Sequence, residues 1–168
     1  MRGSRAGELR ARCVVETGTS SFYSAIRDAV DEPVLRAICK RIAADEFRHY
    51  KLFSDHLVRY QKVECLTTWQ RLKVVLTRFQ ETSDDELASA YHVANGGEGP
   101  YDCSTANAAY SARSMAFYHR KHVRRAGHMM SQAAGLKPDG WATHILTRVL
   151  WWIVALKGRR FRPLLAGS

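Results

Sequence analysis

A chain of 168 residues, 46% apolar and 25% charged, fits one globular domain of ordinary size. Its net charge of +10 raises nucleic acid and anionic membranes as partners, but the bases are spread along the whole chain rather than gathered on one reading helix, which argues against specific nucleic-acid recognition. Cys13, Cys39, Cys65 and Cys103 make no Cys-x-x-Cys pair, and no apolar leader follows the basic start Met1-Arg2-Gly3-Ser4-Arg5; cysteine-ligated zinc is disfavoured, and reduced thiols in a cytoplasm are expected.

Long stretches rich in Ala, Leu, Arg and Glu, with no alternating apolar and polar run, predict an all-α fold. The first helix spans about residues 5–30, with Leu9, Cys13, Glu16, Ser20, Tyr23, Ile26 and Val30 on its stripe. Asp31-Glu32-Pro33 ends it and starts the next helix, with Asp31 or Glu32 as N-cap and Pro33 at the first helical position. The second helix runs to about residue 60, and so short a connection makes the two antiparallel neighbours. Its apolar stripe is Leu35, Ile38 and Ile42, continues through Phe53 and His56 to Tyr60, and carries Glu46 and His49 between. A third helix is expected over 66–81, a cap at Thr82-Ser83-Asp84, and a short helix to residue 94. After the loop Asn95-Gly96-Gly97-Glu98-Gly99-Pro100, one long helix capped by Asp102 or Ser104 reaches residue 134, closed by Gly135. Lys137-Pro138-Asp139-Gly140 is a turn before a last helix over 141–156 and a basic tail. Residues 5–62 are read as a helical hairpin, and 63–168 as a helical extension of the same domain.

A carboxylate and an imidazole three residues apart on a buried face cost free energy unless they have a partner, and a metal ion is the usual one for that pair. Glu16 lies about 15 residues before the turn and Glu46 about 15 after it, so both stand about 22 Å from it at the rise of an α-helix. They are level across the hairpin. Glu16, Glu46 and His49 thus offer two carboxylates and one imidazole, a set that suits iron or manganese better than structural zinc. The competing reading pairs these groups with Arg12, Arg41 or Arg48.

The runs Glu16-Thr17-Gly18-Thr19-Ser20-Ser21-Phe22-Tyr23, Glu32-Pro33-Val34-Leu35 and Ile42-Ala43-Ala44-Asp45-Glu46-Phe47-Arg48-His49-Tyr50 resemble the second half-site of ferritin-like di-iron carboxylate proteins, of the rubrerythrin-like and acyl-carrier-protein desaturase-like branches. The resemblance covers about residues 5–60. It implies an incomplete ferritin-like bundle, Glu16 and Glu46 as iron ligands, His49 as the terminal imidazole, and Asp45 beyond the ligands, fixing a histidine of the opposite half-site. Tyr23, on the Glu16 face, would line the pocket or simply fill the core. The first Glu helix and first Glu-x-x-His helix of such proteins have no counterpart here. Three explanations compete: an N-terminally truncated chain, a homodimer that joins two identical half-sites across a two-fold axis, or recruitment of later residues.

His119 and His122 are the later candidates, but Arg120, Lys121, Arg124 and Arg125 surround them with positive charge, so hydrogen-bonded histidines are the preferred reading. Asp84-Asp85-Glu86 fits the positive end of a helix dipole without a metal. The segment 141–156 is too short to span a bilayer and is interrupted by Arg148; docking on the domain body or on the missing half is preferred to peripheral contact with a membrane. The expected function is that of a non-haem iron protein, an oxidoreductase or an iron-handling protein with a di-iron centre. The alternative is an inactive remnant or a non-catalytic helical interaction module.

Overall fold

In the computed structural model, which describes residues 4–80, 85–97 and 100–159, every regular element is a helix. α1 (Arg5–Ala29) is capped by Ser4, whose hydroxyl accepts from the Gly7 N–H at 3.0 Å. α2 (Pro33–Tyr60) begins as the sequence predicts: the Glu32 carboxylate accepts from the Val34 and Leu35 N–H groups at 2.9 and 2.6 Å, with Pro33 at the first helical position. Cross-helix partners run in opposite directions along the two helices. Arg5 lies over Tyr60, Arg12 over Phe53, and the Ser20 hydroxyl donates to the Ala43 carbonyl at 3.0 Å. The hairpin is therefore antiparallel. Cys13, Thr17, Ser20 and Ser24 of α1 are buried, as are Cys39 and Ala43 of α2; such small side chains let two helices approach closely.

The buried face of α2 is Cys39, Ala43, Tyr50 and Leu57. This corrects the expected stripe. At 100° per residue, the line through Leu35, Ile42, Glu46 and Phe53 lies on the shoulder of that face, and Leu35 and Ile38 are exposed. The chain spends α2's innermost face on Tyr50 because α6 (Arg120–Ala134) packs there: the Tyr50 hydroxyl donates to the Met129 carbonyl at 2.9 Å. The shoulder opens on the side of the hairpin away from α6.

α1 touches α2, α6 and α3 (Thr68–Gln80). One core cluster joins Cys13, Tyr50, Met129 and Ala133; another joins Val14, Val75, Met130 and Ala134. Arg10 is buried between them. Its guanidinium donates to the Ala133 carbonyl and, at 2.8 Å, to Gln61 Oε1. Burial, and then the Arg71 charge, push its pKa down to about 10.

The long helix expected to reach residue 134 is two helices. α5 (Cys103–Ala116) begins at Asp102, and α6 starts afresh after His119, whose backbone is extended. The break is held from both sides. Tyr118 stacks on Phe22 with ring centroids 6.5 Å apart, and the His119 N–H donates to His122 Nδ1 at 3.1 Å. His122 Nε2 lies 3.0 Å from Asp28 Oδ2, a carboxylate that Arg27 and Lys121 also engage. An Nδ1 that accepts a backbone proton leaves Nε2 as the donor, so the buried imidazole is neutral. Gly135, at φ 76°, closes α6 in the left-handed conformation.

α4 (Asp85–Ala94) packs on α5, and α7 (Trp141–Gly158) on α5 and α6. The Gly140 N–H donates to the Lys137 carbonyl at 3.0 Å in the turn before α7. The cap expected at Thr82-Ser83-Asp84 and the basic residues beyond Arg159 lie outside the described residues. At Gly158 a Cβ would stand 2.8 Å from the Met115 backbone. Gly158→Ala is therefore expected to lower stability by about 1–3 kcal/mol through overpacking, read as a fall in Tm.

Asp28 supplies a pH dependence. Burial alone would raise its pKa, but hydrogen bonds from Arg27, Lys121 and His122 overcome that and hold it well below the ordinary carboxylate range. Burial lowers the His122 pKa against the opposing pull of Asp28. Protons then favour the unfolded chain at both groups: stability is full above about pH 6.5 and falls as acid is added, first through His122 and then, below about pH 4, through Asp28. Asp28→Asn is expected to cost about 2–3 kcal/mol at pH 7 and to flatten the acid limb of a stability–pH curve measured by urea denaturation.

Candidate metal centre

Glu16 comes from the middle of α1, and Glu46 and His49 from one turn of α2. The register set by Ser20 and Ala43, one turn away, brings all three together. His49 Nδ1 lies 3.6 Å from Glu16 Oε2 and 3.5 Å from Glu46 Oε2. One donor atom from each residue falls within 4.8 Å of the others, and no other such trio of His, Cys, Asp or Glu occurs among the described residues. Donors bound to one first-row ion at about 2.0–2.2 Å sit about 3.0–3.5 Å apart. The cluster fits an ion with small side-chain adjustments.

The two carboxylates are largely covered and the imidazole is open. Side-chain exposure is 14% for Glu16, 22% for Glu46 and 57% for His49. Burial pushes the Glu16 carboxyl up, the hydrogen bond that its protonated form donates to Glu46 and the charge of Glu46 add to the rise, and His49 and Arg12 pull the other way; the result is about 7. In the metal-free protein Glu16 therefore keeps its proton well above the ordinary carboxylate range, as a covered carboxyl beside a second acidic group does. A cation would displace that proton and remove the repulsion.

Two of the three arginines that could have neutralised the carboxylates are engaged elsewhere. Arg12 reaches Glu8 at 3.4 Å and lies over the Phe53 ring, and Arg48 pairs with Asp45. Asp45 is exposed in that pair. Tyr23 is half-buried against Phe22, with ring centroids 5.8 Å apart, and stands about 10 Å along α1 from Glu16 on the same face, too far to ligate the same ion. His122 belongs to the Asp28 network and His119 neighbours it, with ring centroids 5.7 Å apart. Asp28 itself escaped the sequence reading. Its partner His122 lies 94 residues away, and no local pattern links the two.

The wall behind the carboxylates is apolar. Cys13, one turn before Glu16, is fully buried with Tyr50 and Met129, and burial pushes its thiol up to about 12.

The raised Glu16 carboxyl means that the folded state resists its ionisation, so the metal-free protein carries a penalty that is absent below about pH 4.5 and complete above about pH 7. Glu16→Gln is expected to stabilise the metal-free protein by about 1–3 kcal/mol at pH 8 and to leave it unchanged at pH 4.5, by urea denaturation at the two pH values. No family model, curated protein or solved structure matches this chain.

Proposed function

We propose that this protein is a ferritin-like non-haem iron protein whose centre is built from Glu16, Glu46 and His49 and completed by a second copy of the chain. The observation that carries the reading is the convergence of two covered carboxylates and one imidazole from two helices, at ligand spacing, with Arg12 and Arg48 turned to other partners. Oxygen-rich donors with one nitrogen favour iron, with manganese as the substitute.

Three donors leave an ion short of its coordination number. The missing donors would come from the open shoulder of the hairpin. Leu35 and Ile38 are exposed there, and Ile42, Phe53 and Tyr60 are half-buried along the same line. A second hairpin laid on this shoulder across a two-fold axis covers those apolar groups and sets a second Glu16, Glu46 and His49 opposite the first. A pair of irons supplies one-electron chemistry towards oxygen or peroxide when bound. The residues of this chain would hold it: Glu16 would give up its proton to the solvent, and the open imidazole of His49 would stand at the seam between the copies. Oxidoreductase and iron-handling roles share this centre.

The test is anaerobic loading with ferrous iron, with bound iron and native mass measured together. About one iron per chain in a dimer is expected, falling at least tenfold in Glu46→Ala and in His49→Ala, and Ile38→Glu is expected to release both iron and dimer. A monomer that takes up no iron would mark the cluster as an ordinary polar contact in a non-catalytic helical module.

A further inference from the structure

α7 offers a second open surface, on a helix that packs against α5 and α6. Thr143, Val154 and Gly158 are buried. On the opposite side, Ile145, Val149, Trp152, Ile153 and Leu156 are all exposed, Trp152 by 73%, with Trp141 at the helix start exposed by 78%. At 100° per residue these form one continuous face about 22 Å long. Cations stand on both flanks: Arg148 and Arg159 on the side of Trp141, Lys157 on the other. α7 has no Asp or Glu. Beside Trp152 a cleft is bounded by Arg120 and Arg159, and Arg120 lies over the Trp151 ring at 5.4 Å.

We infer that α7 lies on the surface of an anionic phospholipid bilayer, with its exposed apolar face in the headgroup–acyl boundary and Arg148, Lys157 and Arg159 on lipid phosphates. Charge decides between the occupants this face could take. A second copy paired through α7 in the antiparallel sense would set Arg148 near its own counterpart, because the residue stands at the middle of the helix. In the parallel sense the Arg148 flank would meet Lys157. Neither arrangement offers a carboxylate, so self-pairing concentrates like charge, whereas a lipid surface supplies the anions. The arrangement is that of an in-plane amphipathic helix, with indole rings suited to the interface and long cationic stems able to reach back to the phosphates. Among the described residues no helix is long and apolar enough to cross a membrane, so the contact is one-sided. This inference stands apart from the metal reading, since the Glu16 cluster lies on the hairpin and α7 packs on α5 and α6.

The test is cosedimentation of the full chain with vesicles of phosphatidylcholine mixed with phosphatidylserine, and with vesicles of phosphatidylcholine alone. Binding to the mixed vesicles is expected, with a blue shift in tryptophan emission, and it weakens at least tenfold between low and high salt. Trp152→Glu abolishes it, and Arg148→Ala weakens it about fivefold; neither residue is buried, and circular dichroism checks that each variant is helical. Glu46→Ala binds vesicles as the unaltered chain does, so loss of the metal site is separable from loss of this one. Absence of binding, or equal binding to both vesicle types, would overturn the inference. So would self-association that Trp152→Glu abolishes in a chain that ignores vesicles.

Discussion

The register between α1 and α2 is the constraint on which the rest depends. A slip of one residue turns every side chain of a helix by 100°, so Glu16 meets Glu46 and His49 only while Ser20 stays beside Ala43. Small residues fix that register. Cys13, Thr17, Ser20 and Ser24 bring the α1 backbone close to α2, and the Ser20 hydroxyl bonds directly to the Ala43 carbonyl. Bulkier groups would hold the helices apart and leave the register to side-chain interdigitation alone. α3 and α6 then brace α1 from the other side through Val14, Arg10 and the Cys13 cluster. The polar trio is supported by packing at its back and left open at its front.

The sequence was most readable where a single physical rule governs. The Glu32-Pro33 start of α2 follows from cap chemistry and the missing proline N–H, and the level placement of Glu16 and Glu46 follows from helical rise and a short turn. Reading the core face of α2 was harder, since Leu35, Ile38 and Ile42 have the spacing of a buried stripe. Tyr50 settles the matter in the structure, because its hydroxyl needs the Met129 carbonyl, a partner 79 residues away that no local pattern reveals. The apolar shoulder and the polar trio lie together along one side of the hairpin, where Leu35, Ile38 and His49 are exposed and the two carboxylates are largely covered.

The break between α5 and α6 shows the same limit. Residues 103–134 read as one periodic helix with Gly135 at its end, and neither Pro nor Gly marks residue 118. The interruption depends on Tyr118 finding Phe22 and on His122 finding Asp28, both contacts with α1. Without the break, α6 would continue the line of α5 and could not turn back along α1. Aromatic stacking and one neutral imidazole thus decide the path of the chain at this point.

Cys13, Tyr50 and Met129 form the wall directly behind the two carboxylates, and two of these side chains are among the most readily oxidised in proteins. Susceptibility follows thiolate character and access to solvent, and Cys13 has neither: it is fully buried and its thiol stays protonated to about pH 12. Cys65, by contrast, is exposed. Oxidants that reach the open imidazole of His49 would find no thiolate behind it. The durability of the wall is a matter of tight packing, and a substitution that opened a water path to Cys13 would turn a structural thiol into a site of damage.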